Sequence, residues 1–224
     1  MEKRMFMRLS PIPAPLRNLK YALWVPIYLL CFAVLERLVT ANYWPTQTRL
    51  DGLVPFCEWF VIPYCLWYPL LIWVGICLLL RDGPGFRRYM RFLAVTFFVS
   101  ALLWLLIPNG QDLRPAVMPR DNALTRWIAG LYAIDTNTNV FPSVHVVGAV
   151  GAVLAVWSSP ALRSRRFLSC FTAVLAAVIC LSTLLIKQHT LLDVAGGLVL
   201  SCAVGAVLYC RRPLGRFRPM TQQE

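Results

Sequence analysis

The sequence predicts an all-α integral membrane protein with six spanning helices. Three observations carry that prediction. Apolar residues make up 58% of the 224-residue chain and charged residues only 14%, against roughly 25% charged in soluble domains. The apolar residues fall into six runs near the roughly 20 residues a spanning helix needs. Lys and Arg alternate in abundance between successive connections, as topology signals do.

In order, the runs are 21–40, 59–80, 92–108, 142–158, 167–186 and 190–210. The first carries Glu36 and Arg37 near its far end, where a structural ion pair with a neighbouring helix is the expected role, and the same role is expected of Glu58. Residues 1–20 form a basic tail with Pro-Ile-Pro-Ala-Pro at 11–15, a stiff extended approach. The apolar run after it lacks a small-x-small cleavage site and reads as a span rather than a signal peptide. Residues 21–210 form the membrane domain and 211–224 a second basic tail. Gly148, Gly151, Gly196 and Gly197 suit close helix packing in lipid.

The two tails and the connections 81–91 and 159–166 hold sixteen Lys and Arg, while the opposite connections hold five: Arg49, Arg114, Arg120, Arg126 and Lys187. Both termini are therefore expected on the cytoplasmic side. The net charge of +12 is a topology signal and not a nucleic-acid footprint. The eight cysteines form no CxxC pair or metal-ligand spacing. Inside apolar runs they act as small hydrophobes. Cys57 and Cys65 are the single candidate pair for a disulfide.

The connection 109–141 predicts a short amphipathic helix along the outer interface. Leu124, Trp127, Ile128, Leu131 and Tyr132 recur at helical spacing, with Asp121 or Asn122 as cap. Asp112, Asp121 and Asp135 read as loop caps.

The only two histidines stand in Pro142-Ser143-Val144-His145 and in His189-Thr190-Leu191-Leu192-Asp193. His189 and Asp193 share one helix face at i, i+4. A carboxylate on one imidazole nitrogen frees the other for attack. On its own this spacing reads more readily as a structural pair. Pro142 and Ser143 open a helix whose first amides and hydroxyl suit an anion, and His145 in that turn is placed to give a proton to a leaving oxygen. Alone, it reads more readily as a capping serine and an interfacial histidine. Arg114 offers a planar guanidinium for bidentate phosphate contact. The predicted topology puts Arg114, His145 and His189 on one non-cytoplasmic face.

Arg114-Pro115, then P-S-x-H, then H-x3-D on six spans resembles the type 2 phosphatidic acid phosphatase superfamily, whose pattern is K-x6-R-P, P-S-G-H and S-R-x5-H-x3-D. The resemblance covers 108–197. It implies His189 as nucleophile, Asp193 as its orienter, His145 as acid and then base, and Arg114 on the phosphoryl oxygens, with no metal or cofactor. The pattern's lysine falls on Ile107, its glycine on Val144 and its arginine on Thr183, next to Ser182. Lys187 is the expected replacement cation if the chain turns at 187–189, and Asn109 and Gln111 are further candidate phosphate ligands. Loss of that arginine also resembles the sphingolipid-synthase side of the superfamily. The expected activity is hydrolysis of a lipid phosphate or diphosphate at the outer leaflet of the plasma (inner) membrane. Headgroup transfer to an alcohol and non-enzymatic lipid binding or transport are the rivals. The partners expected are the bilayer and the lipid; the oligomeric state is open.

Overall fold

The computed structural model describes residues 14–38 and 41–210. The basic tail predicted over 211–224 and residues 1–13 of the one predicted over 1–20 lie outside the described residues, while 14–20 are helical and not an extended approach. The chain is all-α apart from two-residue strands β1 (Trp44–Pro45) and β2 (Asn109–Gly110), which pair in parallel. In order come α1 (Ala14–Asn18), α2 (Trp24–Leu38), α3 (Val61–Cys65), α4 (Trp67–Arg81), α5 (Gly83–Leu106), α6 (Ala123–Ile134), α7 (Val144–Ser158), α8 (Arg166–Leu185) and α9 (Leu191–Gly205). Single 3-10 turns precede α2 and α3, another spans Arg49–Leu53, and α9 runs into a π turn.

Among the described residues, five helices are long and apolar enough to cross a membrane: Leu19–Leu38, Glu58–Arg81, Gly83–Leu106, Arg166–Leu185 and Leu191–Tyr209. Their outward faces carry large exposed apolar side chains such as Leu30, Leu80, Phe167 and Val199, as lipid-facing helices do. The remaining apolar run forms α7, at 15 residues about 22 Å long. It is the central helix, packed against α4, α5, α8 and α9.

The predicted connection 81–91 is corrected. Helix α5 begins at Gly83, so Arg87, Arg88 and Arg91 lie in its first turns. Asp82 caps it by accepting from the Gly85 amide at 2.9 Å, and Pro84 suits the first helical turn. The arginines lie along aromatic faces, Arg88 over Tyr209 and Arg91 over Tyr21. Cys57 and Cys65 are free thiols, so the candidate disulfide is not formed. Glu58 forms an ion pair, to Arg120 in the loop before α6 and not to a neighbouring helix. Glu36 does not: it accepts instead from the Thr136 amide and hydroxyl and from the Asn139 amide group. The short helix predicted in the connection 109–141 forms as α6, with Asn122 as cap in a reciprocal box with Thr125.

Close approach of α9 to α7 rests on Gly197. An added Cβ would stand 2.9 Å from both the Ser143 carbonyl oxygen and the Val146 Cβ. At the same crossing the Ser143 amide donates to the Asp193 carbonyl at 3.1 Å. Gly197→Val is expected to cost about 1–3 kcal/mol of overpacking and to move α9 off α7. A lowered Tm together with a larger fractional loss of activity than of folded protein is the checkable result.

Candidate active site

The His189 turn is built by the end of α8. The Gln188 amide donates to the Thr183 carbonyl at 2.9 Å and the Lys187 amide to Leu184 at 3.1 Å. These two bonds, with Lys187 at φ 55°, are the Schellman closure, with lysine where glycine is usual. The expected turn at 187–189 is therefore present. His189 also donates its amide to Thr183 O at 3.0 Å, which folds it back over the helix end. Thr190 then caps α9 reciprocally with Asp193: the Thr190 amide donates to Asp193 Oδ2 at 2.7 Å, and the Asp193 amide to Thr190 Oγ1 at 3.2 Å.

His189 Nδ1 lies 3.6 Å from Asp193 Oδ2, within ion-pair reach and too long for a hydrogen bond. Asp193 is fully buried and its Oδ1 has no hydrogen-bond partner among the described residues. His145, in the first turn of α7, presents its ring 5.6 Å from that of His189, centroid to centroid. Its ring is clamped by Tyr64 at 4.3 Å and Trp67 at 4.6 Å, and neither of its nitrogens has a hydrogen-bond partner among the described residues. Trp67 reaches this position across Gly148, where an added Cβ would stand 2.6 Å from the indole nitrogen. Both histidines line one cavity of about 110 Å³, with Asp135, Asn139 and Gln188 on its polar side and Phe32 and Trp104 among its aromatic walls.

None of the other sequence candidates lines this cavity, and each turns its polar atoms toward the protein. Arg114 donates to the carbonyls of Tyr132 (3.2 Å), Asp135 (2.7 Å) and Thr136 (2.6 Å) and to the Gln188 side-chain oxygen. Its guanidinium stacks 4.2 Å above the Tyr132 ring. Burial pushes Arg114 below its ordinary pKa, opposed chiefly by Asp135, and it stays cationic at neutral pH. Lys187 donates its ammonium to the carbonyls of Asp51 and Val54. Burial lowers its pKa too, with Asp51 opposing. Ser143 Oγ caps α7 through the Val146 amide at 3.4 Å. Asn109 accepts from the Val140 and Phe141 amides. Gln111 donates to the Lys187 carbonyl at 2.9 Å.

Several residues of this site were not read as part of it from the sequence. Asp51, buried, receives the Thr48 amide and hydroxyl on Oδ2 and the Leu191 amide on Oδ1. Together with its carbonyl on Lys187, it buttresses the turn from both sides of His189. Thr48-x-x-Asp51 and Thr190-x-x-Asp193 both carry the capping-box spacing, the one signal by which Asp51 was legible. Asp135 accepts from Tyr64 at 2.6 Å and from Gln188 at 3.1 Å, which ties the clamp on His145 to the residue preceding His189. Asp51→Ala would leave the buried Leu191 amide without its acceptor, a cost of about 1–3 kcal/mol. The expected results are a lower Tm and faster amide exchange over 187–191.

Among the described residues no group of three or more His, Cys, Asp and Glu side chains is disposed to hold a metal ion. A family model described as the PAP2 superfamily matches residues 88–215, more than half of the chain. Neither a curated protein nor a solved structure matches it significantly.

Proposed function

Because the chain belongs to the PAP2 superfamily, whose members are generally phosphatases, we propose that it is a membrane lipid phosphatase acting through a phosphohistidine on His189. The observation that carries this reading is the meeting of two imidazoles, 5.6 Å apart, at one cavity, with a buried carboxylate behind the second. Asp193 orients Nδ1, which leaves Nε2 to attack phosphorus. As the P–N bond forms, the ester P–O bond breaks and the leaving oxygen takes a proton from His145. Water then attacks the phosphohistidine, His145 takes the water proton, and phosphate departs as His189 is regenerated.

Charge on the phosphoryl oxygens is met by Arg114 and by the first amides of α7 with Ser143. For Arg114 this means exchanging carbonyl partners for phosphoryl oxygens, a like-for-like exchange of acceptors. Lys187, Asn109 and Gln111 reach phosphate only by leaving the backbone groups they hold, so in this reading they first fix the turn and the loop around the site. The substrate is a lipid phosphate or diphosphate whose apolar part stays among the helices. The frame is six-spanning, with α7 as the short fourth span. Both termini are cytoplasmic and the cavity opens on the opposite face of the plasma membrane, in line with the Lys and Arg asymmetry.

The test is phosphate release by purified protein from phosphatidate, a polyprenyl diphosphate and phosphatidylglycerophosphate, each with and without an added lipid alcohol. Inorganic phosphate as the product supports hydrolysis. A phosphodiester formed at the expense of phosphate replaces the hydrolase with a transferase, and no turnover of any of the three sinks both.

A further inference from the structure

A second, larger cavity adjoins the first. Helices α2 and α4 both pack on α5, leaving between them an apolar groove of about 430 Å³ floored by Phe86, Met90, Leu93 and Phe97. Four residues, Tyr28, Leu29, Trp67 and Tyr68, line both this groove and the histidine cavity. The histidine cavity and the apolar groove thus share a neck of three aromatic side chains and Leu29. From that neck the groove follows α2 and the 3-10 turn before it back to Leu19, ten residues and about 17 Å at 1.5 Å per α-helical and 2.0 Å per 3-10 residue. That length is about half the hydrocarbon core of a bilayer. Its mean section is then roughly 25 Å², taking 430 Å³ over that length, room for one extended hydrocarbon chain.

We infer that this groove is the binding site for a single long hydrocarbon chain of the substrate, running from the neck along α2, α4 and α5. The inference rests on the phosphatase reading in placing the phosphate at His189. Continuity through the neck is what selects the substrate chain over ordinary bilayer lipid: an amphiphile with its phosphate between the histidines has its first methylenes at Tyr28 and Trp67. The apolar lining then rewards chain length at about 0.8 kcal/mol per buried CH2, so affinity rises with each carbon until the groove is full.

Gly75 provides the means of closing it. It lies in α4 on the groove wall, and an added Cβ there meets no atom within 4 Å. A larger side chain therefore enters the groove and not the helix packing. Gly75→Phe is compared with Val199→Phe, which adds the same ring on the exposed face of α9, and with Ala22→Leu, which narrows the groove from the opposite wall. The probes are hexadecyl phosphate and butyl phosphate, with kcat/KM measured for each. Both groove variants are expected to lower the hexadecyl-to-butyl ratio at least tenfold, with the α9 variant leaving it as in the wild type. A ratio unchanged in Gly75→Phe and Ala22→Leu overturns the inference.

A second measurement does not depend on turnover. Hexadecyl phosphate carrying a diazirine at its chain end is photolysed with the protein. Label is expected in 19–29, 67–79 or 86–97, with its yield cut at least fivefold by Gly75→Phe. Label confined to other segments overturns the groove even if phosphate is released. Label in the groove with no phosphate released from either probe overturns the phosphatase reading and leaves the groove standing.

Discussion

His189→Ala is expected to lower phosphate release at least about a thousandfold, as loss of a nucleophile does in enzymes that act through a covalent intermediate. The fold should survive, because His189 contributes little to it. Its Nδ1 makes no hydrogen bond among the described residues, and Asp193 keeps its bonds to Thr190 when the ring is gone. A Tm within a few degrees of the wild type would show that the lost activity is lost chemistry. Two further readouts separate a nucleophile from a mere contact. Wild-type protein quenched during turnover of a radiolabelled substrate should carry acid-labile phosphate on the peptide containing residue 189, and the variant none. Added imidazole should restore part of the variant's turnover. Retention of more than a tenth of wild-type activity would remove His189 from the chemistry and with it the proposed two-step reaction.

What the sequence made legible here was the placement of backbone. Apolar run length and the Lys and Arg asymmetry were enough to bring Arg114, His145 and His189 to one end of the bundle. The helix over Ala123–Ile134 followed from spacing, while its cap was left between Asp121 and Asn122 and is Asn122. The start of α5 did not, because four arginines over 81–91 read as a solvated connection; on α5 three of them, Arg87, Arg88 and Arg91, lie along Tyr21 and Tyr209.

Side-chain direction in the loops was the part the sequence withheld. Lys187 was sought as a phosphate ligand because it is the only cation in its connection. Its actual partners are the carbonyls of Asp51 and Val54, some 130 residues away in sequence. Burial of the Asp51 loop beside the His189 turn makes those carbonyls available, and no local pattern encodes that packing. Asp135 is a similar case. As one polar residue in a run of five it reads as a turn former, and only the fold sets it against Tyr64 and Gln188.

Arg114 carries the second large expectation, and its two roles predict different outcomes. In the resting site it is a strut: one guanidinium satisfies the carbonyls of Tyr132, Asp135 and Thr136. Arg114→Ala leaves these oxygens short of donors, each such loss worth about 1–3 kcal/mol where the group is buried, so Tm should fall by several degrees. If phosphate binding is its other role, activity per folded molecule should also fall by about 10²–10³, the usual loss when one stabilising donor is removed from a developing oxyanion. Arg114→Lys separates the two. An ammonium keeps the positive charge but not the fork that spans two oxygens at once. It is expected to recover much of the Tm and little of kcat/KM. Vanadate, which mimics the five-coordinate phosphorus, should inhibit the lysine variant at least about tenfold more weakly than wild type, following the lost bidentate contact. A lysine variant with lowered Tm but unchanged kcat/KM and unchanged vanadate inhibition would leave Arg114 a strut alone. The charge on the transferring group would then have to be met by the amides at the start of α7 and by Lys187 released from its carbonyls.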